Sequence, residues 1–298
     1  ERIKRKDKLM LVCFDIDGMV RQQNLHHEYD VQFIKCNNLR EDIKYSIEHQ
    51  SDLDKFRDCS KQTEWFNPNN FNISLLGSGS YHHFTMFIIE QITKPFYLVM
   101  FDWHFDAGVS RWEWQRRKKR ELMESGKLKI RGGGCRYNFG GWLIPAALLP
   151  NCKGVLLVGV GDSEWEKRSA LGPNPKEEYN IDVIPTGENY YWFKDKLQEV
   201  VPDNTDIYIT VCKDVLNKHE LRTDWNNGEM TQTELMYMLS TIKVLYGDRL
   251  CGIDICGEKA KKSWYDDDAE FIHNNIVRHK ILNKNIIDLF GGKELYGK

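Results

Sequence analysis

The segment Asp102-Trp-His104-Phe-Asp106 places three potential metal ligands at alternate positions, directly after an apolar run that ends at Phe101. Alternate side chains of an extended chain point the same way, so the two carboxylates and the imidazole between them can converge on one point. Carboxylate and imidazole donors together suit Mn, Fe or Zn better than Ca or Mg. The segment predicts a transition-metal site; the alternative is a polar strand end with solvated acids.

Two other segments also bring polar side chains to the end of an apolar run. A glycine-rich turn that begins at Gly77 presents the adjacent histidines His82 and His83, and a later apolar run leads into Cys212 and Asp214. Open α/β sheets bind their ligands beyond the carboxyl ends of the strands. We therefore expect these side chains to share one cleft with the aspartates and histidine described above.

Short apolar runs alternate with longer mixed segments along the chain, which predicts a single α/β domain over residues 1–298, with a parallel sheet flanked by helices. The predicted strands are Leu9–Ile16, Ile73–Leu76, Phe96–Phe101, Gly154–Val160, Asp206–Val211 and Leu250–Ile255. The predicted helices are Asp30–His49, His83–Ile92, Trp142–Leu149, Tyr191–Val200, Thr231–Tyr246 and Ala269–Asn283. Thr231 and Glu234 match a capping box, and Asp162–Gly187 is the longest expected loop.

Composition excludes several functional classes. The net charge of −2 is unlike that of a protein that coats nucleic acid, and 41% hydrophobic residues are enough for a large core. The apolar runs have the length of strands, far below the roughly 20 residues of a membrane span. The eight cysteines are scattered, and no two have the CxxC spacing of a structural zinc site. We expect a cytoplasmic protein with reduced thiols.

In their order along the chain, these segments resemble those of the arginase and ureohydrolase superfamily. The residues of these segments are most similar to those of the peptide arginases, which convert arginine side chains of ribosomally made precursor peptides to ornithine and release urea. The similar segments are Gly77-Ser-Gly-Ser-Tyr-His82, Asn138-Phe-Gly-Gly-Trp142, Lys213-Asp-Val-Leu216, Asp224-Trp-Asn-Asn-Gly-Glu-Met230 and Asp254-Ile-Cys-Gly-Glu258. The resemblance implies an arginase-like fold and a hydrolase that uses Mn²⁺.

The resemblance also implies a set of metal ligands for two Mn²⁺ ions that activate water. One ion would be held by His82, Asp102, Asp106 and position 212, and the other by Asp102, His104, Asp214 and position 212. His82 is preferred to His83 because it occupies the place of the family's ligand in the Gly-x-x-His turn.

Position 212 departs from the family pattern, in which an aspartate bridges both metals. Cys212 offers a soft sulfur donor, whereas Mn²⁺ prefers oxygen and nitrogen. The change favours zinc or iron, or a single bound ion. Asp102, His104 and Asp214 are still a complete ligand set for one ion, as in a mononuclear amidohydrolase like the deacetylases of the same fold. The remaining alternative is a core thiol in a peptide-binding homologue that no longer turns over arginine.

The resemblance further implies roles in substrate binding. Asp254 stands where the superfamily keeps a carboxylate for the guanidinium, and Glu258 is the second candidate. Arginases carry a proton-shuttling histidine in the region of residues 132–142, where this chain has none, so Tyr137 or Asn138 would have to order water, and a plain glycine-rich loop is the alternative.

Two other motifs suggest different partners or chemistry. Asp15 and Asp17 resemble the DxD nucleophile motif of haloacid-dehalogenase-type phosphatases, although Met19 stands where that motif usually has Thr or Val. The basic run Arg111–Arg120, which is interleaved with tryptophans, is typical of a solvated helix face, or of a surface that docks an acidic precursor peptide. One such run in a chain of balanced charge makes nucleic acid a poor candidate partner.

Overall fold

Eight parallel strands form the central sheet in the computed structural model, which describes residues 10–36, 46–47, 54–55, 57–58, 71–107, 137–138, 140–161, 175–187, 190–259 and 269–291. The sheet strands are β1 (Met10–Asp15), β2 (Val31–Lys35), β4 (Asn72–Ser78), β5 (Phe96–Phe101), β7 (Cys152–Val160), β8 (Ile181–Pro185), β9 (Asp206–Cys212) and β10 (Leu250–Glu258). Their order across the sheet is β2-β1-β4-β10-β9-β5-β7-β8. Two short strands, β3 (Ser46–Ile47) and β6 (Tyr137–Asn138), pair antiparallel apart from it.

Helices lie against both faces of the sheet. They are α1 (Thr85–Ile89), α2 (Leu143–Ala147), α3 (Pro175–Tyr179), α4 (Phe193–Val200), α5 (Gln232–Tyr246) and α6 (Ala269–Gly291). Alternate residues of each strand enter two separate cores: Cys256 packs in the core of α1 and α2, whereas Ile255 packs with Ile286 of α6. Both faces of the central strands are buried, as their continuous apolar runs require.

The predicted α/β class and parallel sheet are confirmed, but two edge strands were not predicted. The expected helix Asp30–His49 is wrong at its start, because Val31–Lys35 pairs with β1 as an outer strand. The expected loop Asp162–Gly187 contains α3 and the other outer strand, Ile181–Pro185. Edge strands are partly exposed, so they mix polar with apolar residues and lack the continuous apolar run that identified the inner strands.

The helices follow the predicted positions with shifted ends. The capping box of α5 is confirmed: the Thr231 hydroxyl accepts from the Glu234 backbone N–H, and the Glu234 carboxylate accepts from the Thr231 N–H. The segment predicted as a helix from His83 opens as the 3-10 turn Gly79–Phe84 and becomes α-helical only at Thr85. Among the described helices, none is long and apolar enough to cross a membrane.

A β-bulge interrupts β10 near its carboxyl end. The pairing of β10 with β4 shifts register between Ile255 and Cys256 and again between Cys256 and Glu258. Gly257 lies between the last two residues with φ +95°, and a Cβ there would sit 2.6 Å from the backbone nitrogen of Lys213. Only glycine combines this backbone conformation with so close an approach.

Candidate metal centre

The predicted metal ligands meet at the carboxyl edge of four neighbouring strands. His82 lies in the turn after β4, Asp102 follows β5 directly, and Cys212 is the last residue of β9. Because these strands are parallel and lie near one another in the order β4-β10-β9-β5, their carboxyl ends open on the same side of the sheet. His82, Asp102 and Cys212 are almost completely buried there.

Asp102 lies between the two histidines. Its Oδ2 is 2.7 Å from Nδ1 of His82, and its Oδ1 is 3.6 Å from Nδ1 of His104. Nδ1 of His104 also lies 3.0 Å from Oδ2 of Asp214. Donor atoms of Asp102, Cys212 and Asp214 are all within 4.8 Å of one another. The two oxygens of Asp102 thus face the two positions that the sequence predicts for metals.

Asp106 completes the group around His82. Its Oδ2 is 3.4 Å from Nδ1 of His82 and accepts a 2.8 Å hydrogen bond from Nε1 of Trp142. The backbone of Asp106 is left-handed, with φ 44°, and its carbonyl accepts from the Leu143 N–H at the start of α2. The left-handed turn and the indole hold the carboxylate of Asp106 toward His82. Trp142, at the start of α2, thereby supports a candidate ligand.

A buried chain of hydrogen bonds sets the orientation of His82. The Thr210 hydroxyl donates to Oδ1 of Asp254 at 2.6 Å, and its oxygen lies 2.9 Å from Nε2 of His82. Since the hydroxyl proton points to Asp254, Thr210 accepts from Nε2–H of His82. The neutral imidazole then has its lone pair on Nδ1, the atom that faces Asp102 and Asp106.

The donors around His82 fit a divalent cation. Nδ1 of His82 is buried and has no partner with hydrogen-bond geometry, although carboxylate oxygens of Asp102 and Asp106 lie 2.7 and 3.4 Å away. Two donors at right angles, each roughly 2.1 Å from one ion, would be about 3 Å apart. The three atoms are therefore spaced like ligands of a common ion, and their lone pairs face one another.

The pKa shifts of the two histidines show how strongly the charges of the site interact. Burial alone lowers the pKa of His82, but Asp102, Asp106 and Cys212 outweigh it and hold that pKa well above its usual value. Burial acts in the same way on His104, whose pKa is raised to about 11 by Asp102 and Asp214. A cation in this site would replace the positive charge that the two imidazoles otherwise provide to the buried acids.

The two predicted guanidinium ligands, Asp254 and Glu258, do not place their carboxylates among the candidate metal ligands. Both oxygens of Asp254 are engaged: Oδ1 accepts from Thr85 and Thr210, and Oδ2 accepts from Tyr208. Burial raises the pKa of Asp254 to about 6. These contacts make Asp254 the residue that orients Thr210 and, through it, His82, and they do not support direct binding of a guanidinium.

Glu258 faces the opposite side of the sheet. It pairs with the fully buried ammonium of Lys213, accepts a 2.9 Å hydrogen bond from Asn283 of α6, and lies 3.2 Å from Nδ1 of His279. Along a regular strand, Glu258 would share the face of Asp254. The bulge at Gly257 places the Glu258 side chain on the opposite face instead.

Several other predicted features have different positions. His83 is buried but lies in none of the three ligand groups found among the described residues. The phosphatase interpretation gains no support, because Asp15 accepts from Arg21 and Asp17 accepts from the backbone N–H groups of Met19 and Ser78. Tyr137 and Asn138 form strand β6. The basic run 111–120 lies outside the described residues, so peptide docking there stays a prediction.

Thr210 and Cys256 are parts of the site that the sequence interpretation missed. Thr210 precedes Cys212 by two residues and Cys256 follows Asp254 by two, so each shares a strand face with a residue that was singled out. This spacing is the signal that identifies both. The spacing alone did not single out these two residues, because a Thr or a Cys inside an apolar run is also an ordinary core residue.

Replacing Thr210 with valine is expected to lower divalent-metal affinity by about 10- to 100-fold, the usual cost of losing a hydrogen bond behind a histidine ligand. Valine keeps the shape but removes both the acceptor for Nε2–H of His82 and the donor to Asp254. Metal binding measured by calorimetry on the wild type, Thr210→Val and Thr210→Ser tests this. Serine retains the hydroxyl and should stay near wild type; equal loss in both variants would contradict an orienting role.

Comparisons with known proteins agree with this architecture. No family model matches the chain. An uncharacterized protein of Thermotoga maritima is 24% identical over 232 residues, which are 78% of this chain and 76% of that protein. Among solved structures, Helicobacter pylori arginase is 13% identical with a TM-score of 0.61, covering 94% of this chain and 99% of its own.

A second solved structure of similar fold is that of an enzyme named for a different substrate. The proclavaminate amidino hydrolase of Streptomyces clavuligerus is 13% identical with a TM-score of 0.60, covering 95% of this chain and 91% of its own. The chain therefore has the fold shared by the arginases and related amidinohydrolases, over nearly its whole length.

Proposed function

We propose that the chain is a metal-dependent hydrolase that removes urea from an arginine side chain of a precursor peptide and leaves ornithine. The observation that carries the proposal is Asp102, whose two oxygens face Nδ1 of His82 and Nδ1 of His104. Similarity of fold to an arginase and an amidino hydrolase supports the reaction class. The sequence motifs shared with the peptide arginases support the peptide substrate.

The reaction consumes water and divides the guanidinium between two products, the ornithine amine and urea. A divalent ion held at this site would supply Lewis acidity and lower the pKa of water toward neutrality. Asp102, Asp106 and Asp214 provide negative charge around such an ion, and the hydrogen bond to Thr210 keeps Nδ1 of His82 free of a proton when it acts as a ligand. The fixed donors need no reorganisation when charge develops during the reaction.

Access to the site is from the side of His104. Its side chain is 26% exposed, whereas the side chains of His82 and Asp102 are each 2% exposed. Trp225 stands edge-on to the His104 ring, with 6.1 Å between ring centroids. A planar substrate group that enters beside His104 would therefore meet the indole of Trp225, and an aromatic face is favourable for a guanidinium.

Asp224 is the carboxylate that we propose for the guanidinium, in place of Asp254 and Glu258. It is exposed, precedes Trp225, and accepts a 3.1 Å hydrogen bond from the hydroxyl of Ser78, the residue that caps the turn containing His82. A carboxylate beside an aromatic ring offers both the charge and the planar surface that a guanidinium requires.

The test is urea release from a synthetic peptide with one internal arginine, after the chain has been loaded with a divalent metal. We expect urea together with a mass loss of one CN2H2 unit in the peptide, both abolished by a chelator. A peptide with lysine in place of arginine is the negative substrate, and free arginine tests the peptide requirement. Asp224→Asn should raise KM with unchanged metal content. Peptide binding without urea under all metals tried would contradict the proposal and favour a silent homologue.

The state of the cysteines supports a cytoplasmic location, which is part of the same proposal. Six cysteines are described by the structure, and each is a buried free thiol. Unpaired thiols are the usual state in reducing compartments, whereas secreted proteins favour disulfides.

A further inference from the structure

Cys212 and Cys256 form a pair of thiols at the edge of the candidate metal centre. They are direct register partners on the parallel strands β9 and β10, and both are at most 1% exposed. Their sulfurs and a ring nitrogen of His82 all lie within 4.8 Å of one another. Two sulfurs and a nitrogen at this spacing are three of the four donors of a tetrahedral site.

These two thiols differ from those of Cys152 and Cys251 in what they contact. The thiol of Cys152 donates to the carbonyl of Gly154, and that of Cys251 donates to the carbonyl of Ile207, as core thiols commonly do. Cys212 and Cys256 interact instead with each other and with the acids of the site, Asp102 and Asp214. Both thiols are thus placed among other side chains that could bind a metal ion.

A second observation points independently to a ligand at this place. Nδ1 of His82 is buried without a partner in hydrogen-bond geometry, and Thr210 holds the ring so that this nitrogen faces carboxylate oxygens of Asp102 and Asp106. A buried polar atom without a partner is costly, and a bound cation would satisfy it. The two thiols therefore lie beside an imidazole whose other neighbours, Asp102 and Asp106, are also possible donors to a cation.

We infer that this centre is built for a thiophilic ion, with Cys212, Cys256 and His82 as ligands and Asp102 as the fourth donor, and that it prefers Zn²⁺ to Mn²⁺. Two thiolates supply the charge that a divalent ion requires, and sulfur donors favour Zn²⁺ strongly over Mn²⁺. The dinuclear oxygen and nitrogen site expected for two Mn²⁺ ions does not fit these residues. The inference concerns metal identity and stands or falls separately from the proposed arginine chemistry.

Cobalt(II) is the spectroscopic probe, because bonds between thiolate and Co²⁺ give an intense near-ultraviolet absorption that oxygen and nitrogen donors lack. The full chain is titrated with Co²⁺ as the wild type, Cys212→Ser and Cys256→Ser. We expect the wild-type band to fall by about half in each variant, since each removes one of two sulfur donors. The matched control is Cys251→Ser, another buried thiol of β10, which should leave the band unchanged. Co²⁺ binding without the band would overturn the inference.

A second measurement needs no substitution and so is independent of any folding defect in the variants. X-ray absorption of the zinc-loaded wild type should show two sulfur scatterers near 2.3 Å, the usual length of a zinc–thiolate bond. A first shell of oxygen and nitrogen alone would contradict the site even if every variant failed to fold. Urea release is assayed separately, so a zinc–thiolate site without activity would refute the proposed function and leave this inference intact.

Cys212→Asp provides the reverse test. We expect it to lower the ratio of Zn²⁺ to Mn²⁺ affinity by on the order of 100-fold, because one soft donor is exchanged for a hard one. If the chain is active, the same change should add a second Mn²⁺ and raise urea release by about tenfold or more, since a two-metal site activates water more strongly. An unchanged affinity ratio would show that position 212 does not bind the ion.

Discussion

Replacement of Asp102 with asparagine is expected to abolish stoichiometric metal binding and to reduce urea release by at least about 1,000-fold, because the several kcal/mol supplied by a bound ion would be lost. No other described side chain faces both histidines at once: Oδ2 lies 2.7 Å from His82 and Oδ1 lies 3.6 Å from His104. Asparagine keeps the size but replaces one donor oxygen with an NH₂ group and removes the charge.

The matched control for Asp102→Asn is Asp182→Asn. Asp182 is another buried carboxylate of the sheet, but it lies on the outer strand β8 and pairs with Lys176 at 2.5 Å and Lys196 at 3.3 Å. Metal content measured after dialysis should fall to background in Asp102→Asn alone. If Asp102→Asn retained a full equivalent of metal, the ion would have to bind elsewhere and the site described here would be wrong.

Replacement of Lys213 with methionine or of Glu258 with glutamine should each reduce the free energy of unfolding by about 3–5 kcal/mol, the usual cost of leaving one partner of a buried ion pair alone. Lys213 is fully buried, and Glu258 is its charge partner. For a chain of this size, a loss of this magnitude lowers the melting temperature by roughly 10 °C. Thermal unfolding followed by circular dichroism measures it.

The double variant is the control for this pair. Lys213→Met combined with Glu258→Gln leaves no isolated charge, so it should be less destabilised than the sum of the two single variants, with a coupling energy above about 1 kcal/mol. Glutamine can still accept the hydrogen bond that Asn283 donates. Additive effects would show that Lys213 and Glu258 stabilise the fold independently, which would contradict the prediction.

The pH dependence of this effect follows from the pKa of Glu258. Burial alone raises that pKa, but Lys213, His279 and the hydrogen bond from Asn283 outweigh it and lower it to about 2. Since this is below the ordinary value of about 4.5, the stabilisation is complete above pH 4.5 and is lost as the pH falls toward 2. The difference between the wild type and Glu258→Gln should therefore be full at pH 7 and shrink below pH 4.5.

The inner part of the fold could be predicted from the sequence, and its edges could not. Strands such as Phe96–Phe101 and Asp206–Cys212 are buried on both faces, and burial on both faces forces a continuous apolar run. The outer strand Val31–Lys35 has only one neighbour and tolerates polar residues, so its sequence matched a helix as well as a strand. The burial on both faces that made the inner strands recognisable is incomplete at the edges.

The candidate site was predictable where its residues are close in the chain. The alternate spacing of Asp102, His104 and Asp106 predicts that they group together, because alternate side chains of an extended backbone point in the same direction. Thr210 contacts His82 and Cys256 lies near it, although each is more than 100 residues away in the chain, and their i+2 spacing from Cys212 and Asp254 is also ordinary in core strands. Contacts across neighbouring strands depend on register, which the sequence of one strand does not contain.

The bulge at Gly257 has a consequence for how such a chain can change over generations. The bulge, and not the identity of residue 258, determines that its carboxylate lies on the side of Lys213 rather than on the side of Asp254. Deletion of the codon for Gly257 would restore strict alternation but leave the glutamate three positions after Asp254, so its carboxylate would stay on the side of Lys213. Regular pairing of a strand of unchanged length would instead carry that carboxylate to the side of Asp254, so a family with this fold can redistribute acidic groups between the two sides by gain or loss of the bulge.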